Sequence, residues 1–181
     1  MRHARLLARF PGGDPSEAFE KIIDFEKYPE LVDPVRTIEI ERTSADDFDS
    51  RWSVIFRKGI LNWSEKDHIN RDALTLTFEQ DEGDFDILTG AYRVVPTAEG
   101  CDIYMESTFD FGVSSIESIV EPIAARVLKE NFELILLGLL GDTVHFPPDE
   151  QPDESVAPDY AVLDHATADT AAAAGQGAVA S

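Results

Sequence analysis

The sequence predicts an α+β domain in which about seven antiparallel strands form a curved sheet around one long C-terminal helix, with two short helices after the first strand. Apolar and polar side chains alternate through much of residues 37–111, as in antiparallel strands that bury one face. From residue 115 the apolar spacing becomes that of an amphipathic helix. A sheet wrapped around a single helix leaves room for a cavity between them.

The first elements follow from local signals. Residues 6–10 read as a strand that ends at a proline and two glycines. A helix then begins at Asp14, which can cap free N–H groups, with Pro15 in the first turn and Glu17 at the capping-box position. The Tyr28-Pro29 pair interrupts this helix and opens a second, short one.

The remaining strands and the last helix follow from periodicity. The predicted strands cover residues 37–43, 48–56, 61–70, 74–78, 84–95 and 101–111. The helical stripe contains Ile119, Val120, Ile123, Val127, Asn131, Leu134 and Ile135. Pro122 is expected to begin or kink this helix.

The composition divides the chain into two parts. Of its 181 residues 43% are hydrophobic, which suffices for one buried core. After Gly141 there is no Lys or Arg, whereas acids, prolines and finally alanines dominate. We therefore expect a folded domain over residues 1–141 and a disordered acidic tail over 142–181. The tail either aids solubility or acts as a docking or autoinhibitory segment.

The charge and the apolar runs exclude several classes of protein. Fifteen basic against 36 acidic residues give a formal charge of −21, which disfavours nucleic acid as a partner. A single Cys excludes an internal disulfide and a Cys-rich zinc site. The most apolar run, residues 134–140, is too short to span a bilayer, and the N-terminus does not read as a signal peptide. We expect a cytoplasmic protein without membrane insertion, as a monomer or homodimer.

Two acids are the best candidates for chemistry. Strand parity places Glu65 and Asp67 on the same face as Trp63 and the apolar Leu61 and Ile69, toward the cavity. Burial in an apolar pocket raises the pKa of a carboxyl group, which suits general acid/base work near neutral pH. The alternative is a structural role, in which these acids pair with nearby basic residues or lie at a wet strand end.

The sheet is rich in aromatic residues, and they serve either as core or as stacking surfaces for a flat ligand. Trp63 and Tyr92 are the preferred stacking residues. His68 lies within the sheet, but parity turns it to the outer face, away from Glu65 and Asp67. We therefore expect no metal site.

Three stretches carry a resemblance to a known family. They are DFEKYPEL within residues 18–31, GDFDILTGAYRV at 83–94 and FDF at 109–111. Over roughly residues 4–140 the chain resembles the polyketide cyclase and Coq10-like branch of the START/Bet v 1 (SRPBCC) superfamily, whose fold is called helix-grip. Its closest resemblance is to single-domain bacterial aromatase/cyclases.

The match has informative departures. Tyr28 stands where a Trp commonly precedes the Pro-Glu-Leu element, and Tyr92 stands where a Trp usually closes the Gly-x-Phe stretch. Trp63 matches an aromatic residue of the pocket strand. Several of these cyclases carry an Arg late on that strand, where this chain has Ile69.

The resemblance implies a cofactor-independent activity. A poly-β-ketone on an acyl carrier protein would enter the cavity and undergo aldol cyclisation and dehydration. Asp67 and Glu65 would be the acid/base pair, with Tyr28 or Tyr92 as hydrogen-bond donor. The expected substrate-binding residues are Trp63, Tyr92, Trp52, Phe78, Ile69 and Arg57. Arg57 and Lys58 would form a small basic patch for the carrier's phosphate.

Two other functions stay open. One is a non-catalytic carrier of lipid or quinone, of the Coq10 type, which Ile69 favours and which two inward-facing acids would disfavour. The other is a structural or regulatory protein whose tail carries the function.

Overall fold

A computed structural model describes residues 1–113 and 117–155. Its strands are β1 (Arg2–Pro11), β2 (Val35–Arg42), β3 (Asp47–Phe56), β4 (Gly59–Asn70), β5 (Thr75–Gly83), β6 (Ile87–Pro96) and β7 (Gly100–Asp110). All neighbours pair antiparallel in one seven-stranded sheet of order β1-β7-β6-β5-β4-β3-β2. The predicted fold class is confirmed.

The α-helices within the described residues are α1 (Pro15–Ile22), α2 (Tyr28–Leu31) and α3 (Glu117–Leu140). The Asp14 carboxylate accepts the Glu17 N–H at 2.8 Å, as the capping signal predicted. A 3₁₀ turn (Phe25–Lys27) joins α1 to α2, and α3 runs through Pro122. Leu31 of α2 lies so close to Gly138 that a Cβ there would approach it to 2.7 Å. Gly138 therefore leaves room for the Leu31 side chain where α2 packs on α3.

The pairing of β4 with β5 is irregular beside Trp63. β4 and β5 lose register between Ser64 and Glu65, which leaves Asp81 of β5 as the extra residue of a β-bulge. Gly83 faces Trp63 with φ +150°, and a Cβ there would lie 2.4 Å from the Trp63 Cβ. The bulge and the glycine together let the sheet curve around α3.

The segment 142–155 packs along the free edge of β1. The Arg9 backbone pairs with His145 through N–H···O bonds of 2.9 and 3.0 Å. The Gln151 side-chain amide bonds both the N–H and the C=O of Leu7, as a neighbouring strand would. Glu150 pairs with Arg9, and Val144 is buried. The ordered chain thus extends past Gly141 to at least residue 155; residues 156–181 of the predicted tail lie outside the described residues.

Within the described ranges, no helix has the length and the apolar content needed to cross a membrane.

Candidate functional site

The cavity lies between the inner face of the sheet and α3, and its volume is about 130 Å³. Most of its lining side chains are aromatic or aliphatic. They come from α2 (Tyr28), β2–β7 (Val35, Trp52, Val54, Ile55, Phe56, Leu61, Trp63, Glu65, Phe78, Leu88, Tyr92, Met105, Ser107, Phe109), the loops (Phe85, Phe111) and α3 (Ala124, Val127, Leu128, Asn131, Phe132, Ile135). Val54, Phe56 and Leu61 line the cavity near the β3–β4 hairpin and are only partly buried, so the cavity reaches the surface at this hairpin.

Glu65 is the one residue with a charged side chain among the described residues that line this cavity. Its side chain is buried on the inner face of β4, and one carboxylate oxygen accepts the indole N–H of Trp63 at 2.5 Å. Burial raises the pKa of Glu65 well above its ordinary value, and the neighbouring Asp67 charge raises it further. The carboxyl group can therefore hold a proton near neutral pH and exchange it with a ligand.

The two tryptophans form one continuous wall of the cavity. Trp52 and Trp63 face each other across β3 and β4, and their rings stack at 5.6 Å with an angle of 6° between their planes. The rings of Phe25 and Tyr28 pack edge-on against Trp52 at 5.2 and 6.1 Å. A flat ligand would therefore meet a rigid aromatic surface.

Asp67 faces inward, as parity predicted, but it does not line the cavity. Its Oδ2 accepts the Ser50 hydroxyl at 2.6 Å, and its Oδ1 is buried without a hydrogen-bond partner. Burial raises the pKa of Asp67 to about 7, although the Ser50 hydrogen bond acts in the opposite direction. Asp67 is thus a buried titrating group that lies beneath the cavity wall.

The two predicted donor phenols differ. The Tyr28 hydroxyl donates to the Ile22 carbonyl at 2.6 Å, so its proton is already engaged. Tyr92 lies on the cavity wall between the rings of Phe78 and Phe132, at 5.6 and 5.0 Å. Burial, first, and then the charges of Glu65 and Asp67 raise the pKa of Tyr92, so the phenol keeps its proton. Tyr92 is the better-placed donor.

The predicted binding residues divide into two groups. Trp63, Tyr92, Trp52 and Phe78 line the cavity, as expected. Ile69 does not: it is buried in the core, further along β4 than Asp67. Arg57 does not line it either, because it is exposed in the tight β3–β4 turn, with φ +57°, next to Phe56 at the open end.

Three polar residues of the site were given no role from the sequence: Ser50, Ser107 and Asn131. Ser50 is fully buried on the inner face of β3, where it joins Trp52 to Asp67. Asn131 lies in the apolar stripe of α3 and lines the cavity. In each case the signal was a polar residue at an apolar position of the pattern.

His68 lies on the outer face of the sheet. His68 is exposed and pairs with Asp47 at 2.7 Å, as its parity predicted. In the described part of the chain, no group of three or more His, Cys, Asp or Glu side chains is arranged to hold a metal ion.

Comparisons with known proteins agree with this architecture. Residues 12–133 match the family model described as polyketide cyclase/dehydrase and lipid transport. A protein of Thermus thermophilus has a solved structure that is 22% identical, with a TM-score of 0.67 over 76% of this chain and 93% of that one. The ZhuI aromatase/cyclase of Streptomyces sp. R1128 is 14% identical, with a TM-score of 0.60 over 78% and 93%.

A START superfamily protein of Mycobacterium smegmatis is 13% identical, with a TM-score of 0.65 over 77% of this chain and 97% of that one. At these identities the structures show a shared fold. No curated protein matched. The family model covers more than half of the chain and confirms the resemblance found in the sequence. The chain therefore belongs to the polyketide cyclase/dehydrase and lipid transport family.

Proposed function

We propose that this protein is an aromatase/cyclase that closes and dehydrates a ring in a poly-β-ketone chain held in its cavity. The observation that carries the proposal is Glu65, a proton-exchanging carboxyl group in the wall of an otherwise apolar, aromatic cavity. The family and its aromatase/cyclase structural relatives support this class of chemistry.

The reaction needs one group that both takes and returns a proton. The Glu65 carboxylate removes a proton from a CH₂ between two carbonyls, and the resulting enolate carbon forms the new C–C bond to a second carbonyl carbon. The Tyr92 phenol donates a hydrogen bond to the oxygen that gains charge. Protonated Glu65 then returns its proton to the alkoxide oxygen, which becomes a hydroxyl. The Glu65 carboxylate next takes the remaining proton from the same carbon, a C=C bond forms, and the hydroxyl leaves as water with the proton that Glu65 gives back.

The aromatic wall supplies the remaining part of the catalysis. When a flexible chain folds against the stacked rings, one carbon is held next to one carbonyl group. This lowers the entropic part of the activation free energy. Ile69 stands where related cyclases carry Arg, and no Arg is among the described lining residues. Polarisation of the carbonyl therefore falls to Tyr92 and to protonated Glu65.

The test is a product profile. A carrier-bound poly-β-ketone from a minimal synthase is incubated with the wild type, with Glu65→Gln and with Glu79→Gln, which changes an exposed outer-face acid on β5. We expect a new ring pattern with the wild type and Glu79→Gln. Loss of general acid/base catalysis lowers the rate about 10²–10⁴-fold in Glu65→Gln. An unchanged profile with the wild type would refute the cyclase, and full activity of Glu65→Gln would refute the role of Glu65.

A carrier function is the second candidate, because the lining is largely apolar and the family's description includes lipid transport. A carrier would retain its ligand without altering it. Extraction of the purified protein followed by mass spectrometry would then find one apolar compound in stoichiometric amount, chemically unchanged after incubation.

A further inference from the structure

Both tryptophans of the chain are held by hydrogen bonds that end at buried carboxyl groups. The Trp63 N–H donates directly to Glu65 at 2.5 Å. The Trp52 N–H donates to the Ser50 hydroxyl oxygen at 2.9 Å, and that hydroxyl donates to Asp67 at 2.6 Å. The stacked indoles are therefore fixed on the inner face of β3 and β4.

The chemistry of a hydroxyl makes the second connection directional. Ser50 has one proton and two lone pairs, so donating to Asp67 leaves the oxygen free to accept from Trp52. Ser50 is fully buried and Asp67 is 2% exposed, so bulk water does not compete for these bonds. The orientation of Trp52 thus depends on an acceptor at position 67.

Asp67 does not contact a ligand bound in this cavity, because it is not among the residues that line it. Trp52 does line it, and the Trp52 ring also packs against Phe25, Tyr28 and Trp63. The hydrogen-bonded path from Asp67 to the cavity wall therefore runs through Ser50 to Trp52.

We propose that Ser50 and Asp67 are positioning residues, which fix the Trp52 ring in the stacked pair and thereby set the surface on which a flat ligand lies opposite Glu65. The effect of Ser50 and Asp67 on ligand binding rests on the proposed function of the cavity. Their effect on the orientation of the two tryptophan rings is a property of the protein without ligand. The two effects can be measured separately.

The chain has only two tryptophans, so its indole spectra report on this pair alone. Stacked indoles give an exciton-coupled circular dichroism couplet that depends on their mutual orientation. The variants are Ser50→Ala, Asp67→Ala and Asp67→Asn, with Ser53→Ala on the same strand but the opposite face as control. Spectra are recorded well below each variant's Tm, so that a loss of stability alone leaves the couplet unchanged.

We expect Ser50→Ala and Asp67→Ala to collapse the couplet toward the spectrum of two independent indoles. Asp67→Asn should restore it, because the amide oxygen still accepts from Ser50. The Kd for acetophenone, a one-ring aryl ketone, should rise about three- to tenfold in Ser50→Ala and Asp67→Ala. This factor corresponds to the net free energy of one hydrogen bond. Ser53→Ala should change neither quantity.

A wild-type couplet in Ser50→Ala would overturn the proposal, and this holds even if Asp67→Ala fails to fold. A couplet that changes as expected in a protein that binds no acetophenone would uphold the positioning relay and count against the ligand-binding cavity. Equal loss of the couplet in Asp67→Asn and Asp67→Ala would also overturn it, because the acceptor would then not be the cause.

Discussion

Glu65 determines which ligand groups the cavity can accept. Its carboxyl group is buried beside Asp67 and the Trp63 N–H, opposite Ser50 on β3, with the Tyr92 phenol on β6 nearby. When protonated it can donate to a ligand carbonyl, and when ionised it can only accept. Its raised pKa therefore favours neutral ligands that bear a carbonyl or another acceptor.

The affinity for acetophenone should accordingly fall as pH rises. Protonated Glu65 donates to the ketone, and this bond disappears as the pH passes through the raised pKa values of the coupled Glu65–Asp67 pair. In Glu65→Gln the amide donates at every pH, so the profile should be flat. Calorimetric titrations between pH 5 and pH 9 would check this. A wild-type affinity that rises with pH would contradict it.

The buried Asp67 should make stability depend on pH in the opposite sense to an ordinary ion-paired acid. Its pKa is about 7 in the folded protein and 3.8 ordinarily, so the folded state holds the proton more tightly. The free energy of unfolding of the protein therefore falls as the pH rises from about 4 to about 7.

Asp67→Asn removes that titration. The difference in free energy of unfolding, Asp67→Asn minus wild type, should therefore increase by on the order of 2–4 kcal/mol between pH 4.5 and pH 8. Urea unfolding at both pH values measures the difference. The exposed Asp72→Asn should follow the wild type, and a pH-independent difference for Asp67→Asn would show that Asp67 ionises normally.

At the scale of elements, the segment 142–155 covers a sheet edge that would otherwise be free. β1 is buried on both faces between Ala4 and Ala8, because α3 packs inside while the segment adds bonds along the edge. Periodicity could not predict this segment, since its bonds come from one backbone pair at His145 and one side-chain amide at Gln151.

Gln151→Ala should open this edge locally. The N–H and C=O of Leu7 lose their partners, which should cost about 1–2 kcal/mol of stability and speed hydrogen exchange at the Leu7 amide. Asp149→Ala, an exposed change on the same segment, should leave both unaltered. NMR measurement of hydrogen exchange at the Leu7 amide tests this prediction. An exchange rate in Gln151→Ala equal to that of the wild type would contradict it.

Under the proposed function, we expect the β3–β4 hairpin to be the element that meets an acyl carrier protein. Its turn carries Arg57 and Lys58, both exposed, beside Phe56 at the open end of the cavity. We expect Arg57→Ser with Lys58→Ser to raise the KM for a carrier-bound chain several-fold, because the phosphate of the carrier arm loses its cations. The kcat should be unchanged, and a change in kcat alone would argue against docking at this turn.

The site shows what strand patterns can and cannot predict. Parity placed Glu65, Asp67 and the tryptophans on the inner face because side chains alternate strictly along a strand. Parity does not tell how far along a strand the cavity extends. It therefore predicted that Asp67 and Ile69 line the cavity, whereas Glu65 is the last residue of β4 that does so. Ser50 and Asn131 had visible polar signals, but only three-dimensional packing shows which partners they meet.

For the whole molecule, the distance between the sheet and α3 sets the size of ligand. A cavity of about 130 Å³ is close to the volume that holds a single benzene ring in an engineered cavity. A larger chain must therefore separate α3 from the sheet or enter in part from the open hairpin end. Leu128 projects into the cavity from α3, whereas Leu134 on the same helix is 53% exposed.

Leu128→Ala should shift the size preference without repositioning the sheet. The vacated volume should let 2-acetylnaphthalene, with two rings, bind about tenfold more tightly relative to acetophenone than it does in the wild type. The same change should cost about 2–4 kcal/mol of stability, because a cavity is enlarged. Leu134→Ala removes the same atoms from an exposed position. It should leave both the affinity ratio of the two ketones and the free energy of unfolding almost unchanged. Calorimetric titration of both ketones measures the ratio; an equal ratio in Leu128→Ala and the wild type would mean that α3 already moves freely enough to admit two rings.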